Sequence, residues 1–130
     1  MIKTEEDIIK EEEFTRQIRS DSTNTTAFYN RSLVYFRWEM YIKAIQDLNQ
    51  VLKRNPKDAD GFVARGDCKF LLEDFRAAIS DYTSAIKFNE SNALNYNGRA
   101  NALYNLQKYP DAIKDFDVAI ALDPNDANFF

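Results

Sequence analysis

Arginine and aspartate recur in this chain as three pairs of constant spacing. Within each pair the aspartate follows the arginine at one fixed interval, and successive pairs recur with a period of about 34 residues. The pairs are Arg31 with Asp47, Arg65 with Asp81, and Arg99 with Asp115. Because a planar guanidinium group matches a carboxylate with two hydrogen bonds, we predict a structural ladder of ion pairs, within or between neighbouring units. The functional alternative is a row of arginines that binds an acidic partner.

Other residues that could do chemistry are scarce. The sequence contains no histidine, so it lacks the commonest general base and transition-metal ligand. Its single cysteine, Cys68, cannot form an internal disulfide or a zinc cluster, and we interpret it as a small buried residue. The three glycines have no phosphate-binding spacing. We therefore expect no enzymatic activity, no cofactor and no metal site.

The composition of the 130 residues indicates a folded, soluble domain. Hydrophobic residues make up 45% and aromatic residues 14%, which is too apolar for a disordered chain. The net charge of −4 argues against nucleic-acid binding, which requires clustered lysine and arginine. The sequence has no apolar run long enough to span a bilayer and no signal peptide after Met1. We expect a cytoplasmic protein without membrane insertion.

The same period extends well beyond the charged pairs. Alanine and isoleucine recur with it, as do large aromatic residues. Three such columns are Ala44, Ala78 and Ala112; Phe28, Phe62 and Tyr96; and Tyr41, Phe75 and Tyr109. Within each unit the apolar residues follow one another at helical spacing, first on one predicted helix and then on a second. A period of about 34 residues is typical of stacked helical hairpins.

Polar residues mark the ends of the predicted helices. Asn or Asp precedes each first helix, where its side chain can accept from a free backbone N–H group; these positions are Asn24, Asp58, Asn92 and Asp126. Asn or Asp also ends each second helix, and we expect the left-handed conformation there; these positions are Asp21, Asn55, Asn89 and Asp123. Between the two helices, Glu39, Glu73 and Gln107 occupy a place where glycine is common, and a positive φ would strain them.

These repeats resemble the tetratricopeptide repeat (TPR). The third unit carries the family's pattern of aromatic and small residues, with Tyr96, Ala100, Tyr109, Ala112, Phe116, Ala119 and Pro124. The resemblance implies an all-α fold, an α-solenoid wound as a right-handed superhelix from three tandem helix–turn–helix units of about 34 residues each. The units are residues 25–58, 59–92 and 93–126. We expect the small residues to mark close approaches between helices.

Two short segments flank the three units. Residues 1–24 are acidic, and Phe14 and Ile18 fall in register with the apolar columns, so we predict an N-terminal helix that is a degenerate repeat or a cap. A disordered acidic leader is the alternative. Residues 127–130 would begin a further, truncated helix. The chain is expected to be a fragment of a longer protein or to pack its open end on a partner.

The resemblance implies that the first helices line a concave face that binds a partner segment. Carried over residue by residue, this face combines asparagines, which can hydrogen-bond a peptide backbone, with aromatic and aliphatic anchors. The candidate groove residues are Tyr29, Asn30, Leu33, Arg37, Val63, Asp67, Phe70, Leu71, Asn97, Asn101, Tyr104 and Asn105, with Thr26, Phe36, Asp60, Ala64, Leu94 and Gly98 on the same face. Phe36, Phe70 and Tyr104 could instead pack on the next repeat.

Co-chaperone members of the family bind the acidic tails of the Hsp70 and Hsp90 chaperones through a carboxylate clamp of lysine, asparagine and arginine. None of the corresponding positions here has the clamp residue type; they are Tyr29, Leu33, Ala64, Leu94 and Gly98. Asn30 and Arg31 resemble the middle clamp helix, but in that register the next helix offers Asp60 and Ala64 instead of lysine and arginine. Binding of chaperone tails is therefore disfavoured.

Two other residues of the first helices depart from their columns. Lys69 stands where the other units have Tyr35 and Leu103, and we expect its ammonium group to reach solvent while its stem packs. Trp38 aligns with leucines, so we interpret it as a contact between repeats, with an exposed binding anchor as the alternative.

The sequence as a whole predicts a non-catalytic scaffold for protein–protein interaction whose partner is a protein or peptide. The alternatives are a regulatory or co-chaperone-type module of a larger protein, and an architectural subunit of a cytoskeletal or ciliary assembly.

Overall fold

The computed structural model describes residues 2–125, which form seven α-helices and no strand. The helices are α1 (Glu5–Ser20), α2 (Thr25–Arg37), α3 (Tyr41–Arg54), α4 (Ala59–Leu71), α5 (Phe75–Phe88), α6 (Ala93–Asn105) and α7 (Tyr109–Leu122). After α1 the helices pair as three hairpins, so the predicted all-α fold of helix–turn–helix units is confirmed. Asp126 and the further helix expected at residues 127–130 lie outside the described residues.

The first helix of each hairpin begins at the predicted capping residue. Asn24 accepts a hydrogen bond from the Ala27 N–H group at 3.0 Å, and Asp58 accepts one from Gly61 at 3.2 Å. Asn92 caps α6 in the same way through the Leu94 N–H group at 2.9 Å. These bonds satisfy donors that have no partner within the helix, and such a cap stabilises a helix by about 1 kcal/mol.

Left-handed backbone occurs in the turn between the two helices of each hairpin, and not after the second helix, where it was expected. The residues that follow the second helices, Asp21, Asn55, Asn89 and Asp123, have φ between −149° and −122°, so the prediction of left-handed backbone there is wrong. Positive φ values of 58°, 62° and 62° occur instead at Glu39, Glu73 and Gln107, within the turns between paired helices.

Hydrogen bonding explains why these turns hold a strained residue. The Glu73 N–H group donates to the Phe70 carbonyl at 2.9 Å, and the Asp74 N–H group donates to the Lys69 carbonyl at 2.9 Å. The same two bonds recur around Glu39 and around Gln107. This is the Schellman arrangement, which satisfies the last carbonyl groups of a helix and requires a left-handed residue.

Small side chains allow the helices to stack closely in chain order. Ala44, Ala78 and Ala100 are completely buried. A Cβ atom built on Gly66 would lie 3.1 Å from the ring of Tyr82, closer than ordinary van der Waals contact. The predicted role of the small residues is therefore confirmed at these positions, because a larger residue would overpack the helix interface.

The first helix docks on the first hairpin. Phe14 packs against the core cluster of α2 and α3. The Tyr35 hydroxyl group donates to Glu11 Oε1 at 2.9 Å, and Arg37 Nη2 donates to Asp7 Oδ1 at 2.7 Å. Residues Glu5–Ser20 are thus an ordered helix, and the alternative of a disordered leader does not hold for them.

Candidate binding groove

A cavity of about 380 Å³ opens at the junction of α4 and α6 and is called the main cavity below. Apolar side chains form most of its wall, and amide and carboxylate groups interrupt them at a few points. Its lining residues are Phe36, Val63, Asp67, Phe70, Leu71, Tyr82, Leu94, Asn97, Gly98 and Asn101. Apolar walls with a few polar groups are the usual composition of a ligand pocket of this size.

Tyr82 forms the floor of the main cavity from the second helix α5. Its ring lies between two glycines, since a Cβ atom on Gly98 would be 2.9 Å from the ring and one on Gly66 3.1 Å. Its hydroxyl group donates to Asp67 Oδ1 at 2.5 Å. The side chain is 2% exposed, so the tyrosine is a fixed part of the wall.

The carboxyl group of Asp67 sits in this wall without a compensating cation. Burial raises the pKa of Asp67 above its ordinary value, and the hydrogen bond from Tyr82 only partly offsets that effect. Among the ion pairs of residues 2–125, none includes Asp67. Nearby, the side-chain oxygen of Asn97 is buried and accepts no hydrogen bond. The wall of the main cavity therefore contains a carboxylate without an ion pair and a buried amide oxygen without a hydrogen-bond donor.

Two smaller cavities are lined in part by residues of α2, and the three cavities together are called the groove below. One, of about 100 Å³, shares Phe36 and Asp67 with the main cavity and is also lined by Leu33. The other, of about 220 Å³, is lined by Tyr29 and Asp60 among others. Burial raises the pKa of Tyr29, and the Asp60 carboxylate adds to that rise. The groove is thus acidic at this end as well.

Most of the predicted groove residues line these cavities. Six of them line the main cavity: Val63, Asp67, Phe70, Leu71, Asn97 and Asn101. Leu33 and Tyr29 line the smaller ones. Tyr82 is not among the predicted groove residues, because its column belongs to the apolar pattern of the second helices. A signal for it is nevertheless present in the sequence, since Gly66 and Gly98 occupy columns that flank a bulky residue.

Four predicted groove residues lie elsewhere: Asn30, Arg37, Tyr104 and Asn105 line none of the three cavities. The guanidinium group of Arg37 donates to both oxygens of Asp7 on α1, at 3.2 and 2.7 Å. The ring of Tyr104 packs edge-on against Tyr109, with 5.3 Å between the ring centres. The side-chain amide of Asn105 donates to the Asn101 carbonyl group.

Equivalent aromatic pairs recur in the other hairpins, between Phe36 and Tyr41 and between Phe70 and Phe75. These aromatic residues therefore pack on the second helix of their own hairpin, and Phe36 and Phe70 also pack against core clusters that include Cys68 and Ala102 of the next repeat.

The arginine–aspartate pairs form on the face that joins consecutive hairpins. Each arginine uses Nε and Nη2 to donate to both carboxylate oxygens of the aspartate 16 residues later. The distances lie between 2.6 and 2.9 Å. The aspartate side chains are 4–9% exposed, so the pairs are shielded from solvent. The guanidinium groups are thereby occupied inside the protein.

Each arginine also donates through Nη1 to the preceding second helix. The acceptors are Thr15 for Arg31, Asn49 for Arg65 and Thr83 for Arg99. The three acceptors also recur with the period of about 34 residues, so the sequence contains a signal for these contacts. The predicted ladder consisted of the arginine–aspartate pairs alone. Every rung of the ladder thus joins three helices: the two of one hairpin and the helix that precedes them, which is α1 for the first rung.

Lys69 does not extend to solvent as expected. Its ammonium group pairs with Asp81 Oδ2 at 3.0 Å, so Asp81 receives two cations while its counterparts receive one. Cys68 is 1% exposed, and burial raises its pKa to about 12. Its thiol is therefore protonated and unreactive at neutral pH. Trp38 is 4% exposed and packs with Tyr35, which excludes the exposed anchor.

The three stacked hairpins define a helical-repeat protein. Family models described as tetratricopeptide repeat match residues 25–58 and residues 93–126. The chain belongs to the tetratricopeptide repeat family, a fold that is generally non-catalytic and binds other proteins. No curated protein sequence matches the chain.

Several solved structures share this architecture. MamA superimposes with a TM-score of 0.83 at 19% identity over 85% of this chain, which spans 65% of the MamA chain. The first TPR of Spaghetti (RPAP3), bound to the HSP90 peptide SRMEEVD, gives 0.80 at 28% identity, with 84% of this chain and 86% of that one covered. The Arabidopsis OM64 TPR domain gives 0.79 at 23% identity, with 81% and 87% covered. The MamA and OM64 likenesses show the fold alone.

Residues 2–125 offer no sign of two other classes of site. None of the helices there combines the length and the apolar character that a bilayer crossing requires. No group of three or more metal-ligating side chains occurs in the same range.

Proposed function

We propose that this chain is a non-catalytic scaffold that buries a segment of a partner protein in its groove. The observation that carries the proposal is the main cavity, which is open between two first helices and combines an apolar wall with two asparagines. Asparagine offers both a donor and an acceptor, so it can pair with the backbone of an extended peptide. Apolar side chains of the peptide would supply the buried area.

Two exposed features of the wall support an intermolecular role. Leu71 is 46% exposed and Leu94 is 57% exposed, although both are large aliphatic residues that line the main cavity. Burial of such side chains by a partner stabilises a complex by roughly 25 cal/mol for each Å² of apolar surface removed from water. These two leucines are thus suited to binding, and at this exposure they add little to the stability of the free chain.

A co-chaperone role is the second candidate, and similarity to RPAP3 with its bound HSP90 peptide is the observation that favours it. We propose that chaperone tails are nevertheless not the partner. The positions that correspond to the clamp cations, Tyr29, Leu94 and Gly98, bear no charge, and Arg31 is paired with Asp47. An acidic tail would also meet Asp67 in the main cavity.

The proposal is tested by affinity capture with matched variants. Leu71→Ala/Asn101→Ala removes two lining residues without changing the net charge, and Ile42→Ala/Ile113→Ala removes two side chains that are 59% and 58% exposed on second helices. Circular dichroism would first establish that both variants fold. A partner captured by the wild type and by the control, but lost with the groove variant, supports the proposal. Equal capture by all three would contradict it. We also propose a cytoplasmic location, which microscopy of the tagged chain would test.

A further inference from the structure

We propose that the partner segment carries a basic side chain, and that an arginine of that segment enters the main cavity and donates to Asp67 and Asn97. This inference rests on the proposed function of the groove and adds the chemistry of the partner. It stands on three observations: acceptors without donors in the cavity, an excess of acidic groups along the groove, and walls that fit an arginine stem.

The acceptors of the main cavity lack partners within the protein. Asp67 Oδ1 accepts from Tyr82, but Asp67 Oδ2 accepts from no group in residues 2–125. The side-chain oxygen of Asn97 is buried and equally without a donor. A buried acceptor such as the Asn97 oxygen is costly unless a hydrogen bond is supplied, whereas Asp67 Oδ2 is not fully buried and is open to a donor from outside. An occupant that brings N–H groups would satisfy both, whereas an acidic occupant would bring only acceptors.

The acidic character continues beyond the main cavity. Asp58 and Asp60 line the neighbouring cavity beside Tyr29. No lysine or arginine of the described chain lines any of the three cavities of the groove. The nearby cations are used elsewhere, because Arg37 pairs with Asp7 and Lys69 pairs with Asp81. A positively charged segment is therefore attracted along the length of the groove.

Arginine fits the main cavity better than lysine. Its guanidinium group carries five N–H donors in one plane, so it can reach two separate acceptors, and it is less strongly hydrated than an ammonium group. Its methylene stem can pack along Val63 and Leu94, and the ring of Phe70 offers an aromatic face. A cavity of about 380 Å³ is ample for one such side chain.

The test selects groove ligands from a pool of random sequences. A displayed library of random heptapeptides is selected on the wild-type protein. Clones that lose binding to Leu71→Ala/Asn101→Ala are taken as groove ligands. We expect arginine flanked by apolar residues to be enriched among them. The best peptide is then synthesised with arginine, lysine or citrulline at that position, since citrulline keeps the shape of arginine without its charge.

Affinities measured by isothermal titration calorimetry separate the charge from the shape. We expect citrulline to weaken binding to the wild type about tenfold or more. Asp67→Asn keeps an acceptor for Tyr82, and we expect it to remove most of the preference for arginine over citrulline. Tyr82→Phe keeps the Asp67 carboxylate, and we expect it to retain that preference.

Failure of this inference and failure of the proposed function would give different results. Groove ligands that are acidic, or that bind equally well with citrulline, would overturn this inference and leave the proposed function intact. The citrulline comparison uses the wild-type protein, so it decides the matter even where a variant does not fold. A library that yields no groove-dependent ligand would overturn the proposed function and this inference with it.

Discussion

The hydroxyl group of Tyr82 donates a hydrogen bond of 2.5 Å to Asp67 Oδ1, and this bond joins α5 to α4 beneath the main cavity. Burial raises the pKa of Tyr82, and the neighbouring Asp67 carboxylate raises it further. The phenol therefore stays protonated at neutral pH and remains the donor. Because the tyrosine supplies only one proton, the second oxygen of Asp67 is left for another donor.

The raised pKa of Asp67 makes a prediction about stability and pH. Since the folded state binds this proton more tightly than the unfolded state, the stabilising effect of Asp67 is complete below about pH 4 and is lost as the pH rises through the folded-state pKa. We expect Asp67→Asn to raise the melting temperature at pH 7, with a smaller gain at acidic pH. Thermal denaturation followed by circular dichroism at a series of pH values would measure this. A lower melting temperature at pH 7 would show instead that the ionised carboxylate stabilises the fold.

The contact between Gly98 and Tyr82 predicts a packing defect. A Cβ atom on Gly98 would lie 2.9 Å from the tyrosine ring, which is held on its other side at Gly66. We expect Gly98→Ala to lower the free energy of unfolding by about 1–3 kcal/mol. Gly61→Ala is the matched control, because its new Cβ approaches the end of the Leu52 side chain at 3.0 Å and meets Asp58 Cγ at an ordinary 3.5 Å. Chemical denaturation would compare them, and equal stabilities for the two variants would refute the clash.

The ladder predicts unequal costs for removing its arginines. Arg31→Ala leaves the buried carboxylate of Asp47 without an ion pair in the described part of the chain, which we expect to cost about 3 kcal/mol. Arg65→Ala leaves Asp81 with Lys69 at 3.0 Å, so its cost should be smaller. Urea unfolding of both variants, with exposed Arg76→Ala as control, would measure the difference. The ladder would lose its structural role if Arg31→Ala and Arg76→Ala were equally stable.

The turn at Glu73 predicts a gain in stability. Its φ of 62° is unfavourable for a residue with a Cβ atom and free of penalty for glycine. We expect Glu73→Gly to raise the free energy of unfolding by about 1 kcal/mol. Glu73→Ala is the control, since alanine keeps the steric conflict, and it should bring no gain. Thermal unfolding would decide, and a destabilised Glu73→Gly variant would mean that the glutamate side chain stabilises this turn.

The helices and their starting points could be predicted because their signals are local. Asn24 and Asp58 act within three residues of their own position, and the apolar period repeats three times. The prediction of left-handed backbone at the ends of the second helices was wrong because it also relied on a local signal, the residue type. Asn and Asp tolerate left-handed backbone, but Asn55 and Asn89 have negative φ, and the left-handed residue belongs to the turn within the hairpin, as at Glu73.

The groove was only partly predictable because its depth depends on contacts between helices. The column positions correctly placed Val63 and Asn97 on the first helices, where both line the main cavity. They could not reveal that Arg37 pairs with α1, or that Tyr82 reaches the same cavity from a second helix. Those features depend on which side chains meet across helices, and a column of similar residues does not indicate which side chains are in contact.

The three-helix rungs have a consequence for how such a chain can change its length. The side-chain hydrogen bonds of each arginine reach only residues 16 positions before and after it. Inserting or deleting a whole unit of about 34 residues therefore recreates every rung at the new junction. Losing a single residue inside a helix turns the following side chains by about 100° around its axis and breaks the adjoining rung. Gene duplication in whole units is therefore structurally neutral, whereas small insertions within helices are not.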